Sequence, residues 1–358
     1  MRKAASSIAT TALLTALLLT ASAHAASDPV GGGVAKLRLA SSFLSFLKAD
    51  AIKLSATAPA KLKGGLLTLP SSGGLIDPTT AKGKIEEGGA LVFSAAKRKV
   101  PLREIRIQTK HTPLIAKVGG SQLKAATAPK LSFSRPGFEA KIAIAKLYLS
   151  AKLITRLNKK LRPKLPFQEG QLLGSATSIT HPLTTTITEG GRATLVFDPT
   201  FIAKLSALEP KVSLNPVFPA EHEGATFTFP IIRGGQIAPD ASQGTLRTGG
   251  EVELLQLGGG QVLWHEPWLD LGARALTVEP NVLPSPPFGG KGLRAPIASL
   301  GQGAVSADPA QRTITVSGAP LTLEAQTART LNEALDQGKE AFRAGEVLGV
   351  VGFSAVGQ

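Results

Sequence analysis

Few residues in this chain are placed to do chemistry. Its 358 residues contain no cysteine and five histidines, His24, His111, His181, His222 and His265, which stand far apart. A zinc site built on thiolates is excluded, and the spacing of the histidines gives no pattern for an all-histidine one. No GxSxG, HExxH or paired-carboxylate cluster occurs, so the usual residues for serine, metal-assisted or two-carboxylate hydrolysis are missing. The expectation is a protein that is not an enzyme and has no metal site. An envelope-polymer hydrolase with unrecognised residues is the enzymatic alternative.

The two tryptophans lie together in LWHEPWLD, with His265 and Glu266 between Trp264 and Trp268. On a strand, Trp264, Glu266 and Trp268 share one face and His265 points to the other, while Pro267 marks an edge or bend. Such a pair can stack on a ligand, although packing in a core is the commoner use of tryptophan. Together with Tyr148, the sole tyrosine, Trp264, His265 and Trp268 are the candidate ligand-binding residues.

Charge supplies the other candidates. The net charge is +15, and it is unevenly spread: Ala26 to Pro166 carries 26 Lys/Arg against 7 Asp/Glu, and the remainder to Gln358 carries 12 against 18. Two clusters stand out in the basic half, Lys97-Arg98-Lys99 and the run NKKLRPK with Lys159, Lys160, Arg162 and Lys164. Neither has interleaved aromatics on which bases could stack, so specific nucleic-acid recognition is not expected. Phosphate-rich envelope polymers or anionic lipid headgroups need only charge density. A solvated basic face is the plain alternative.

These residues are carried on a duplicated scaffold. Residues 1–25 read as a secretory signal peptide: Arg2 and Lys3, an apolar run around Ala12 to Leu19, then Ala23-His24-Ala25, with cleavage expected after Ala25. That run is too short to span a bilayer and no later segment is a better candidate, so no transmembrane segment is expected in the secreted or envelope-associated product. GGLIDPTTAKGKIEEGGALVF (73 to 93) aligns without a gap on GGQIAPDASQGTLRTGGEVEL (234 to 254), and FQEGQLLG recurs as FRAGEVLG. The first copy runs from 31 to 180, the second from 189 to 358, joined by a Thr-rich connector at 181–188. Twelve extra residues in the second copy fall most naturally in the Pro/Gly stretch 281–296.

Short alternating runs punctuated by Gly and Pro predict strands throughout. Helical spacing is confined to a segment near each start (Ser42 to Ala49, Thr200 to Ala207) and one late in each copy. In the late segments, Leu153, Ile154, Leu157 and Leu161, and then Ala328, Leu331 and Leu335, share a face. The fold class is mainly β: two tandem homologous domains of sandwich or barrel type, each with an early and a late helix.

The order of these features resembles the haem-transport-associated (Htaa) domain of secreted and surface proteins. The shared features are a Ser-Phe segment, an FTFP-type strand, a glycine-centred hairpin, an LTL strand before a helix and a terminal FxxGxxLG. The resemblance implies an extracellular β-rich module and, in the family's best-known members, haem as cofactor or cargo. Its tyrosine position falls on Phe46 and Lys204, and its histidine position near Glu87 and Thr248, so this chain departs from the family at its ligand positions. The leading expectation is an exported, non-catalytic binding or structural protein of the cell envelope, with haem binding or transport as the alternative.

Overall fold

The computed structural model describes residues 27–80, 82–109, 114–283, 293–335 and 340–358. The signal peptide, most of the Pro/Gly stretch and His111 lie outside the described residues.

The first copy opens with β1 (Asp28–Leu39), α1 (Ser41–Ala49), β2 (Lys53–Thr57), β3 (Lys61–Lys63) and β4 (Leu66–Ile76). It continues through β5 (Gly83–Glu87), β6 (Ala90–Ala95), β7 (Arg98–Gln108), β8 (Leu114–Val118), β9 (Ser121–Thr127) and β10 (Ser132–Ser134). β11 (Ala140–Leu149), α2 (Ala151–Leu161) and β12 (Leu172–Pro182) complete it. The second copy follows with β13 (Thr185–Thr186), β14 (Arg192–Phe197), α3 (Pro199–Ala207), β15 (Val212–Val217), β16 (Glu221–Glu223), β17 (Thr226–Pro230) and β18 (Gln236–Ile237). After these come β19 (Gly244–Leu246), β20 (Glu251–Gln256), β21 (Gln261–Asp270), β22 (Ala275–Leu283) and β23 (Ala295–Leu300). β24 (Ala304–Asp308), β25 (Thr313–Leu323), α4 (Ala325–Leu335) and β26 (Val347–Val356) end the chain.

Pairing in the first copy runs β7-β5-β4-β1-β12-β11-β9-β8 and returns from β8 to β7, which closes an eight-stranded antiparallel barrel. Of the two β architectures the sequence allowed, the first copy takes the barrel. An eight-stranded barrel has room for its own side chains and little more. Here Leu67, Ile85, Phe93 and Ile142 fill it, and the residual void, lined by Leu67, Leu91, Phe93 and Leu153, is only about 20 Å³. α1 and α2 cover the end at which β1 and β11 finish. Ser150 caps α2 by accepting from Leu153 N at 3.1 Å, and Leu153, Ile154, Leu157 and Leu161 face inward as their spacing predicts.

The second copy repeats the path as a curled sheet. Its counterpart of β4 is interrupted at Ile231 to Gly235, leaving β17 against β14 and β18 against β19. The interval that holds the tight β8–β9 hairpin in the first copy corresponds to that between β22 and β23, where the expected extra residues lie outside the described residues. The paired glycines occupy equivalent turns. Gly88 N donates to Pro70 O at 2.7 Å and Gly249 N to Pro230 O at 2.9 Å. Gly89 and Gly250 take φ of +92° and +94°, each with the backbone of an alanine, Ala60 or Ala220, 2.6 Å from where a Cβ would stand.

The middle of the connector is buried. Thr184, Thr185 and Thr186 are at most 9% exposed, and the last two donate to the Asp28 carboxylate at 3.2 and 3.1 Å. Asp28 also accepts from Thr186 N at 2.9 Å and faces the Arg135 guanidinium at 3.5 Å. Phe138, from the first copy, is packed into the hydrophobic core of the second.

Candidate functional site

The second copy holds the tryptophans, and they do not share a face. A register shift between His265 and Trp268, with Glu266 at φ 44°, is a β-bulge, and an extra residue in one strand reverses the side-chain alternation beyond it. Trp264 therefore points inward, 1% exposed and stacked on Phe197 at 6.4 Å, while Trp268 is on the outer face. His265 contacts Glu251 at 2.7 Å. Trp268 is flanked by two guanidinium groups, Arg247 at 4.5 Å and Arg294 at 3.7 Å from its ring centre. Arg294 spends its donors on the backbone, giving one to Thr277 O at 2.8 Å and one to Glu266 O, and burial pushes it down to about 10. The arrangement ties β21 to β22 across the bulge. Tyr148 sits elsewhere, in β11 of the first barrel, paired with Leu172 and Thr127.

The positions given by the family resemblance are also occupied by packing. The Phe46 ring lies 5.1 Å from Phe167, and Lys204 Nζ is bound to Glu346 at 2.6 Å and to Ala341 O at 3.1 Å. Thr248 donates its hydroxyl to Pro267 O. Glu87 points into the first barrel at 4% exposure, where Ser71 donates to it at 3.1 Å. Burial pushes its carboxyl up to about 7. Among the described residues there is no group of three or more His, Asp or Glu that could hold a metal ion.

The two basic clusters, by contrast, come together. Lys97 lies in the β6–β7 turn and Arg98 and Lys99 begin β7, while Lys159, Lys160, Arg162 and Lys164 form the end of α2 and the segment after it. Arg98 donates to Leu161 O at 3.1 Å, which joins the clusters and supplies a cation to the negative end of the helix dipole. In cross-strand register Lys53 lies opposite Ser94 and Ser94 opposite Lys99, so Lys53 extends the patch. Asp50 is the nearby acid, and its Oδ1 accepts from Lys164 N at 2.8 Å and Leu165 N at 3.1 Å.

A second basic surface was not singled out by the sequence. On the outer face of β3, β4, β1, β12 and β11, Lys61 lies opposite Thr68, Thr68 opposite Lys36 and Lys36 opposite Thr177. One row along, Lys63, Leu66, Arg38 and Ser175 repeat the arrangement, and Lys141 stands opposite Ile179. All of Lys36, Arg38, Lys61, Lys63 and Lys141 are exposed. The one acid in these five strands is Asp28, buried at the far end, and Glu139, just before β11, contacts His181 at 3.2 Å at the edge of the face. Strands about 4.8 Å apart place β3 and β11 roughly 19 Å from each other, and residues two apart on a strand stand about 6.6 Å apart. A groove of about 430 Å³ lined by Lys36, Arg38, Lys141, Ser175 and Thr177 runs across this face.

The second copy is an internal control. Register places Thr194 and Val196 where Lys36 and Arg38 stand, and Glu221 and Glu223 where Lys61 and Lys63 stand. The fold therefore does not require the cations. Neighbouring like charges about 8 Å apart in water repel by roughly 0.5 kcal/mol per pair, a small cost repeated across the face.

The molecule is thus a closed β-barrel followed by a curled sheet of the same path, with one strongly basic face on the barrel. The sequence matches no protein-family model and no curated protein. Among solved structures it is similar to the N-terminal domain of HtaA from Corynebacterium glutamicum, at 19% identity over 48% of this chain and 99% of that one, TM-score 0.38. It is also similar to the C-terminal domain of the same protein, at 15% identity over 48% of this chain and 98% of that one, TM-score 0.37. The distant resemblance read from the motifs extends to these two domains.

Among the described residues, no helix is long and apolar enough to cross a membrane.

Proposed function

We propose that the chain is an exported, non-catalytic binding module of the cell envelope, whose first barrel holds an anionic envelope polymer against its basic face. The observation that carries this reading is the set Lys36, Arg38, Lys61, Lys63 and Lys141 on one surface, with Glu221 and Glu223 in the second copy where Lys61 and Lys63 stand in the first. Neither a nucleophile nor a metal enters the mechanism. Cations spaced across several strands meet repeated phosphate or carboxylate groups, release the polymer's counterions, and leave Ser175 and Thr177 to donate hydrogen bonds within the groove.

The test is binding of the full chain to polyphosphate and to isolated anionic wall polymer. Lys36→Glu with Arg38→Glu is expected to weaken binding about tenfold or more and to lower the salt slope by about two. Retention is expected to collapse between 0.1 M and 1 M salt, as the Debye length falls from about 10 Å to about 3 Å. Unchanged binding by the double variant, or retention indifferent to salt, would leave the face as a solvated surface.

Export carries its own check. Sequencing of the protein recovered outside the cytoplasm is expected to begin at Ala26, whereas folded material retaining Met1 would contradict the localisation.

A further inference from the structure

Beside the basic face, the first barrel has an apolar groove that the polymer reading does not use. It lies between α1 and the β2–β3 region, encloses about 550 Å³, and is walled by Leu44, Leu47, Ile52, Leu54 and Leu62, with Gly64 and Gly65 at one end. That volume is within the range of small-molecule sites. Two exposed cations, Lys48 from the last turn of α1 and Lys53 from β2, line the same groove. Through Ser94, Lys53 continues to Lys99 and the basic cluster at the end of α2. Two residues from Leu44, Phe46 is on the opposite side of α1 and packs on Phe167, so the groove is separate from the position that the family resemblance marks.

The second copy again shows what the fold can omit. By register and alignment, Lys48 becomes Ser206, Lys53 becomes Ser213 and Leu62 becomes His222, whose ring packs on Phe227 at 5.3 Å. Both cations and one apolar wall residue are absent from the second copy, where the path from helix to strand, Ser206 to Ser213 against Lys48 to Lys53, is two residues longer and carries Lys211.

We infer that the groove of the first barrel binds a membrane-derived amphiphile, its single alkyl chain lying among Leu44, Leu47, Leu54 and Leu62 and its anionic headgroup held by Lys48 and Lys53. This deepens the envelope reading and rests on it, since the amphiphile would be the apolar end of the anionic material that the basic surface meets. Charge complementarity selects the occupant. An apolar peptide would leave two lysines facing it without a partner, whereas an alkyl phosphate satisfies the walls and the rim together.

The test titrates the full chain with alkyl phosphates of increasing length, with dodecanol and with polyphosphate. Each added methylene that enters the groove is expected to tighten binding roughly fourfold, up to the length at which the groove is full. Dodecanol is expected to bind about tenfold or more weakly than dodecyl phosphate. Lys48→Ser with Lys53→Ser should bring dodecyl phosphate down to the dodecanol affinity while polyphosphate binding falls much less than it does for Lys36→Glu with Arg38→Glu, and Leu62→Asp should weaken both alkyl ligands together. Affinity independent of chain length, or the lysine double variant binding dodecyl phosphate as the parent does, overturns the inference even if Leu62→Asp fails to fold. Loss of polyphosphate binding alone, with the chain-length series intact, would instead remove the polymer reading and leave the groove.

Discussion

Replacing Glu87 with glutamine is expected to raise stability at pH 8 by about 3 kcal/mol and to flatten its fall with pH. Glu87 is 4% exposed, and its Oε1 has no hydrogen-bond partner. Burial raises its carboxyl from 4.5 to about 7, against the opposing pull of the Ser71 and Ser178 hydroxyls. A carboxyl that binds its proton more tightly in the folded protein makes the folded state the richer in protons between those two values. Stability is then highest below about 4.5 and declines as pH rises through about 7, by roughly 1.4 kcal/mol per unit at the steepest. Glutamine keeps the shape and removes the charge. Asp28 is also raised, again chiefly by burial, so a residual slope at lower pH should persist in the variant. Urea denaturation at pH 5, 6.5 and 8 measures the effect, and parallel curves for parent and variant would show that Glu87 is not what makes stability pH-dependent.

Gly89→Ala and Gly250→Ala are each expected to cost about 3 kcal/mol or more, and to cost the same in both copies. At each site a Cβ would stand 2.6 Å from the backbone N of an alanine, with φ already above +90°. A left-handed conformation costs a residue with a side chain roughly 1 to 2 kcal/mol, and overpacking adds about 1 to 3. Gly64 and Gly224 supply the comparison. They too have positive φ, +57° and +60°, but open space where the Cβ would go, so alanine there should cost only the conformational part. Denaturation midpoints for the four variants decide it, and equal losses at all four would mean that close approach contributes nothing at the paired glycines.

These glycines were legible in the sequence because a close approach leaves a residue type that repeats at fixed spacing. The four helices were legible for a similar reason, since Leu153, Leu157 and Leu161, or Ala328, Leu331 and Leu335, carry the helical period within a single segment. What was not legible depends on relations between segments. Closure of the barrel rests on β8 returning to β7, which no local pattern records. The two tryptophans were expected on one face because alternation was extended across Glu266, where a bulge breaks it. The basic face went unnoticed because Lys36, Arg38, Lys61, Lys63 and Lys141 stand in strands far apart along the chain. Each belongs to an ordinary alternating strand such as KLRL or KLK. They are visible as a set only when the outward positions of several strands are taken together, not in contiguous runs such as KRK or NKKLRPK. Those two runs are brought together by a contact, Arg98 to Leu161, that their spacing could not foretell.

Phe138 lies in the first copy and completes the core of the second, while Asp28 is held by threonines of the connector. A cut between the copies would remove an aromatic ring from a core that did not supply it, a loss of the order of 3 to 5 kcal/mol. The duplication is in that sense no longer reversible. Two copies that began as equals have become a donor and an acceptor of packing, so neither can be lost, exchanged or multiplied on its own.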